Sequence, residues 1–243
     1  MPTHYARFLI GRHRTVAANR QLGWLLALVA GAINAGGFLA VRQYTSHVTG
    51  IVSAVADNLA LGQMELVVDG VIGVLSFLLG AMCSGILVNF ARRRALASEY
   101  ALPLLLESVL ILGFGLLGAR MATFEGLLLP FTVILLCFIM GLQNAVVTKL
   151  SGAVIRTTHM TGVVTDLGIE LGKLVYWNAD PSLPMPVRAD RDRLKVLGGL
   201  LAAFLVGGVS GAYGFKAFGY GFTIPIAVLL AVISLVPAWD DLR

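Results

Sequence analysis

Charge is what this chain has least of. Charged residues make up 13% of its 243 positions, against about 25% in an ordinary globular domain, so most of the chain cannot present the usual solvated surface. Cysteine is nearly absent too. Cys83 and Cys137 each sit inside an apolar run with no Cys-x-x-Cys and no metal-ligand spacing, which excludes a disulfide framework and a cysteine zinc site. The signatures of common catalytic sites are missing: there is no Gly-x-Ser-x-Gly, no Walker loop and no His-Glu-x-x-His. An enzyme is therefore not expected, and neither is a cofactor or a bound metal.

What the chain has instead is apolar length. Hydrophobic residues reach 58% and mean hydropathy is +0.86. Apolar runs fall near 22–41, 70–90, 101–119, 127–148, 196–215 and 222–239, each close to the roughly 20 residues a helix needs to cross a bilayer. Only the third contains a formal charge, Glu107. The net charge of +5 does not point to nucleic acid, because the basic residues lie between the runs: Arg7, Arg12, Arg14 and Arg20, then Arg92 to Arg94, then Arg188, Arg191, Arg193 and Lys195. Lys and Arg flanking a span stay on the cytoplasmic side. With both termini cytoplasmic, six crossings keep 15 of the 18 Lys and Arg residues inside and leave Arg42, Arg120 and Lys216 outside. The basic leader and Ala30-Gly31-Ala32 resemble a signal peptide with its cleavage site. The apolar run continues to Val41 and its pattern returns deep in the chain, so the first span is expected to be retained.

That return is the strongest feature. Gly31-Ala32-Ile33-Asn34-Ala35 reappears 110 positions later as Gly141-Leu142-Gln143-Asn144-Ala145. Thr45-Ser46-His47-Val48-Thr49-Gly50 reappears at an offset of 112 as Thr157-Thr158-His159-Met160-Thr161-Gly162. Ser76, Gly80 and Ser84 in the second span mirror Gly199, Ala203, Gly207 and Gly211 in the fifth, and Pro103 mirrors Pro225. Small residues four apart make a stripe on which another helix can approach closely. A unit of three spans has an odd number of crossings, so its second copy runs the other way through the membrane. The expected fold is all-α: a basic cytoplasmic segment 1–21, a first three-span repeat 22–119 and an inverted second repeat 127–239 that includes a cytoplasmic linker 178–195.

Each half carries its Thr-Ser/Thr-His-x-Thr-Gly motif before a short stretch, 51–62 or 163–177, that reads as a half-helix or re-entrant segment, with Thr49 and Thr161 as helix caps. Free amides at such caps favour anionic groups. The residues expected to meet a substrate are Asn34, Thr45, His47, Thr49 and Gly50 with Asn144, Thr157, His159, Thr161 and Gly162. Imidazole changes charge near neutral pH, and the bland role for both histidines is to satisfy a buried carbonyl. Asn34 and Asn144 either bond to a partner helix or face a cavity. Asp57 and Asp166 are the carboxylates expected to couple a proton or ion, because acids in membrane segments mark functional sites. Glu170, three residues before Lys173, is expected to form an ion pair.

The Asn-Ala pairs and the two Thr-Ser/Thr-His-x-Thr-Gly motifs together resemble the YoaK family, bacterial inner-membrane proteins described only as a domain of unknown function. The resemblance runs from the first span to the sixth and implies a six-span protein of the bacterial inner membrane, without naming a substrate. By analogy, inverted repeats with interrupted helices build secondary transporters whose site lies at the repeat interface. The expectation is a small-solute or ion transporter working by alternating access. The alternatives are a non-transporting scaffold or partner subunit and, more weakly, a passive channel. The lipid bilayer is an expected partner, with a small solute or ion and an oligomer left open.

Overall fold

The computed structural model describes residues 2–10, 15–96, 98–121, 125–150, 160–177 and 187–240, and among them there is no strand. The helices are α1 (Pro2–Ile10), α2 (Val16–Val41), α3 (Val48–Ala60), α4 (Met64–Arg93), α5 (Ala101–Met121), α6 (Glu125–Leu150), α7 (Met160–Val175), α8 (Arg191–Phe218) and α9 (Thr223–Asp240). Among the described residues, five stretches are long and apolar enough to cross a membrane: Val16–Val41, Met64–Arg93, Ala101–Arg120, Leu128–Leu150 and Arg191–Asp240. The last is 50 residues long and takes in two of the six expected spans, α8 and α9, divided only by a 3-10 turn at Gly219–Phe222.

Local chemistry sets these boundaries. The Thr15 hydroxyl accepts from the Ala18 amide at 3.1 Å to start α2, and the Asp190 carboxylate accepts from the Asp192 and Arg193 amides, both at 3.0 Å, to start α8. Each satisfies amides that have no partner inside the helix. Gly219, at φ 58° and ψ −149°, holds a backbone shape that side chains other than hydrogen rarely allow and so turns the chain out of α8. Pro103 and Pro225 both fall at the third position of their helices, where a missing amide costs nothing. α4 starts six residues before the expected span, because Glu65 and Asp69 lower the hydropathy of its first turns without breaking the helix. At 30 residues and 1.5 Å per residue it is about 45 Å long, beyond a hydrocarbon core of about 30 Å.

The packing follows the small-residue stripes. α2 crosses α8, α4 crosses α6, α5 lies against α9 and α6, and α2 touches α6. A Cβ on Gly31 would overlap the Phe204 carbonyl oxygen, and one on Gly141 would overlap that of Phe77. A Cβ on Gly207 would overlap the Leu28 carbonyl oxygen, and one on Gly80 that of Phe138. The offset of 110 carries Gly31 to Gly141 and Leu28 to Phe138, and an offset of 127 carries Gly80 to Gly207 and Phe77 to Phe204. The two crossings are therefore equivalent, residue for residue, each made by the first long helix of one half on the second long helix of the other.

Phe114, Phe215, Tyr220 and Phe222 close one end of the core with ring centroids 5.5 to 6.3 Å apart. At the other end the Arg7 guanidinium donates to both oxygens of Asp240, at 2.6 and 2.8 Å, and ties α1 to α9.

Candidate functional site

α3 lies on α4 and α7 lies on α8, so the two short helices sit at related places in the two halves. They are surrounded differently. Between α3, the first turns of α4 and the first half of α6 there is a cavity of about 280 Å³. Its walls are mostly aliphatic, including Ile51, Val55, Val133 and Ile134; its polar groups come from Gln43, Asn58 and Asp69, with the Cys137 thiol and Pro130 at the α6 wall. Gly70 allows Val55 to lie close, since a Cβ there would overlap the valine methyl. A Cβ on Gly73 would meet only Cys137 Sγ, at 3.6 Å.

The equivalent place in the second half is filled. The same offsets carry Ile51 to Val163, Val55 to Leu167, Gly70 to Leu197, Gly73 to Leu200, Ile134 to Trp24 and Cys137 to Ala27. Val163, Leu197, Leu200 and Ala27 are a buried cluster, with Trp24 and Leu167 packed against it. The indole is held on three sides: its Nε1 donates to the Val196 carbonyl at 3.2 Å, the Arg20 guanidinium lies 5.3 Å from its ring centre, and a Cβ on Gly199 would overlap it.

The described residues of the first motif lie beside this geometry rather than in the cavity wall. Thr45 is buried, His47, Thr49 and Asp57 are exposed, and Gly50 is half-buried. α3 begins at Val48 with His47 at its cap position and no side-chain cap bond. Thr49 is thus inside the first turn rather than capping it, as Thr161 is inside α7, where its carbonyl accepts from Thr165 Oγ1 at 2.8 Å. The imidazole folds over Gly50, whose missing Cβ makes that room. Asn34 accepts from Ser46 Oγ at 2.8 Å and so fixes the loop after its own helix. Gln143 links α6 to α2 by donating to the Leu26 carbonyl at 3.1 Å. Among the described residues, Asn144 Oδ1 and both carboxyl oxygens of the fully buried Glu107 have no hydrogen-bond partner. Gly162 is half-buried, and Thr157 and His159 lie outside the described residues, as does the first half of the expected linker.

Asp166 and Glu170 serve the joint between α7 and α8. Arg193 donates to Asp166 at 3.0 Å, and the buried Glu170 accepts from Lys173 at 2.8 Å and from the Asp190 amide at 2.9 Å. The ion pair expected at Glu170 is present. The hydrogen bond from Lys173, then that from the Asp190 amide, hold the Glu170 carboxyl below its usual value of 4.5. A lowered folded-state pKa stabilises the fold fully above the unfolded value, and that contribution is lost as pH falls through the lowered one. Detergent-purified Glu170→Gln is expected to be less stable to heat than the parent at neutral pH, with the gap closing as the pH falls below about 4.5. A constant gap across that range would show that Glu170 acts through packing alone.

Gln43, Asn58 and Asp69 were not apparent as site residues from the motif. Their signal is a departure from the repeat: Gly70 and Gly73 stand where the second half has leucines, and Ile134 where it has tryptophan. No curated protein and no solved structure matches the chain. A family model described as a protein of unknown function, DUF1275, matches residues 22–236. With nearly its whole length covered, in keeping with the resemblance seen in its motifs, the chain belongs to the DUF1275 family of membrane-type helical proteins of unknown function.

Proposed function

We propose that this protein is a small-solute transporter of the bacterial inner membrane, built as an inverted repeat of two three-span halves with both termini cytoplasmic. The equivalent glycine crossings of α2 on α8 and α4 on α6 support the repeat, and the lysine and arginine distribution supports the orientation. The observation that carries the transport reading is the contrast between equivalent places: a cavity beside α3 and a closed cluster around Trp24 beside α7. In this orientation the cavity belongs to the outer side and the cluster to the cytoplasmic side. That is the outward-facing arrangement of an alternating-access cycle, with α3 and α7 as the short segments beside the path. The chemistry is passage, not catalysis.

Single cysteines report the cycle without a known substrate. In a Cys83→Ser/Cys137→Ser background, Asn58→Cys is expected to react with an impermeant maleimide from outside in intact cells. Leu197→Cys is expected to react slowly from the cytoplasmic side in inverted vesicles, and faster once Trp24 is also changed to Ala. A Leu197 position that never reacts, with or without Trp24, would sink alternating access. It would instead support a second reading, one-sided binding without passage, which the replacement of Gly73 by Leu200 at the equivalent position favours.

A further inference from the structure

We propose that the cavity beside α3 binds a small organic cation, an ammonium group on a short apolar body, with Asp69 as its counter-charge. The binding site stands on the cavity itself; its role as a transport substrate rests on the reading above. Among the described residues, Asp69 is the one charged side chain in the cavity wall, and Glu65, one turn earlier in α4, adds negative potential on the same helix face. The neutral polar groups, Asn58 and Gln43, bring amide oxygens that accept hydrogen bonds from an ammonium.

The rest of the wall decides between kinds of cation. A dehydrated inorganic ion needs about six oxygen ligands, and no group of three or more His, Cys, Asp or Glu side chains that could hold a metal occurs among the described residues. Ile51, Val55, Val133 and Ile134 supply hydrocarbon contact instead, which rewards an apolar body and not a bare ion. The volume, about 280 Å³, lies just under the range of about 300–1,000 Å³ typical of drug-sized ligands. Lipids and peptides are too large, and the net charge of the wall opposes anions.

The site is written into the sequence. The second half has Val196, Leu197, Leu200 and Trp24 where the first has Asp69, Gly70, Gly73 and Ile134. The Asp69 carboxylate and the space beside it are thus replaced together by apolar side chains, while the acids that the second half does carry at the places of Ala54 and Asn58, Asp166 and Glu170, are taken up by Arg193 and Lys173.

Choline and its neutral isostere, in which carbon replaces the quaternary nitrogen, have the same shape and differ in charge, so calorimetric titration of the full chain in detergent separates the two contributions. Saturable binding of choline is expected, with the isostere and the isosteric Asp69→Asn variant each weaker by about tenfold or more. Gly73→Leu, which fills the cavity, is expected to abolish binding. Gly73→Ala, whose Cβ meets only Cys137 Sγ at 3.6 Å, keeps the test valid should the leucine variant fail to fold, with an intermediate loss. Equal binding of the isostere, undiminished binding by Asp69→Asn, or no saturable binding of either choline or tetramethylammonium would overturn the proposal. Binding as described, with no choline counterflow in proteoliposomes, would refute transport and leave the site intact.

Discussion

Replacing Gly80 or Gly207 by leucine is expected to abolish folded protein. At both positions even a Cβ would overlap a backbone carbonyl oxygen, Phe138 on α6 or Leu28 on α2. Backbone cannot rotate away as a side-chain tip can. Overpacking in a core costs about 1–3 kcal/mol when neighbours can shift, and here the whole helix must retreat, separating α4 from α6 or α2 from α8. Even alanine is expected to lower the unfolding temperature clearly at each site. Gly208 and Gly85 are the controls. A Cβ on Gly208 would come no closer than 3.8 Å to another atom, and one on Gly85 would meet nothing within 4 Å, so alanine there is expected to be neutral or slightly stabilising through helix propensity. Monodisperse yield and thermal unfolding of the four alanine variants check this, and equal losses at Gly207 and Gly208 would show that the crossing is not where the stripe places it.

Trp24→Ala is expected to have the second largest effect, and of a different kind. Truncating a packed aromatic costs about 3–5 kcal/mol when the site cannot collapse, and Trp24 is half-buried, so the lower end of that range applies. The space left would open among Val163, Leu167, Leu197 and Leu200, at the place equivalent to the cavity beside α3. The variant is expected to remain folded because the glycine crossings are untouched, while water-borne reagents reach α8 near Leu197 from the cytoplasmic side. Trp24→Phe separates packing from hydrogen bonding: it keeps an aromatic filler and loses only the bond to the Val196 carbonyl. Near-parental stability and labelling in Phe with both altered in Ala would identify the indole as a plug. If Phe behaves like Ala, the bond to Val196 is what closes this end.

Much of the helical framework was legible because its causes are local. Apolar runs of membrane length and proline near the starts of α5 and α9 act through neighbours in the chain. The small-residue stripes were legible for a related reason, since spacing along one helix defines a face wherever that face later packs. Of the motif histidines, His47 is exposed at the start of α3 and folds over Gly50, a contact between near neighbours in the chain. Asp69 was hidden because hydropathy places it at the edge of a span, whereas the helix runs through it.

The amino-acid sequence by itself determined that this chain carries apolar helices of membrane-crossing length, that its motifs recur at fixed offsets and which helix faces can approach closely. All of these follow from residue type and spacing. Only the tertiary structure decided which helices use those faces and where empty space remains. Asp69, Asn58, Gln43 and Cys137 come from four separate segments, and the space they share exists because α3, α4 and α6 meet there while Trp24 fills its counterpart. A cavity is a property of the distances between helices, and spacing along one chain does not contain them.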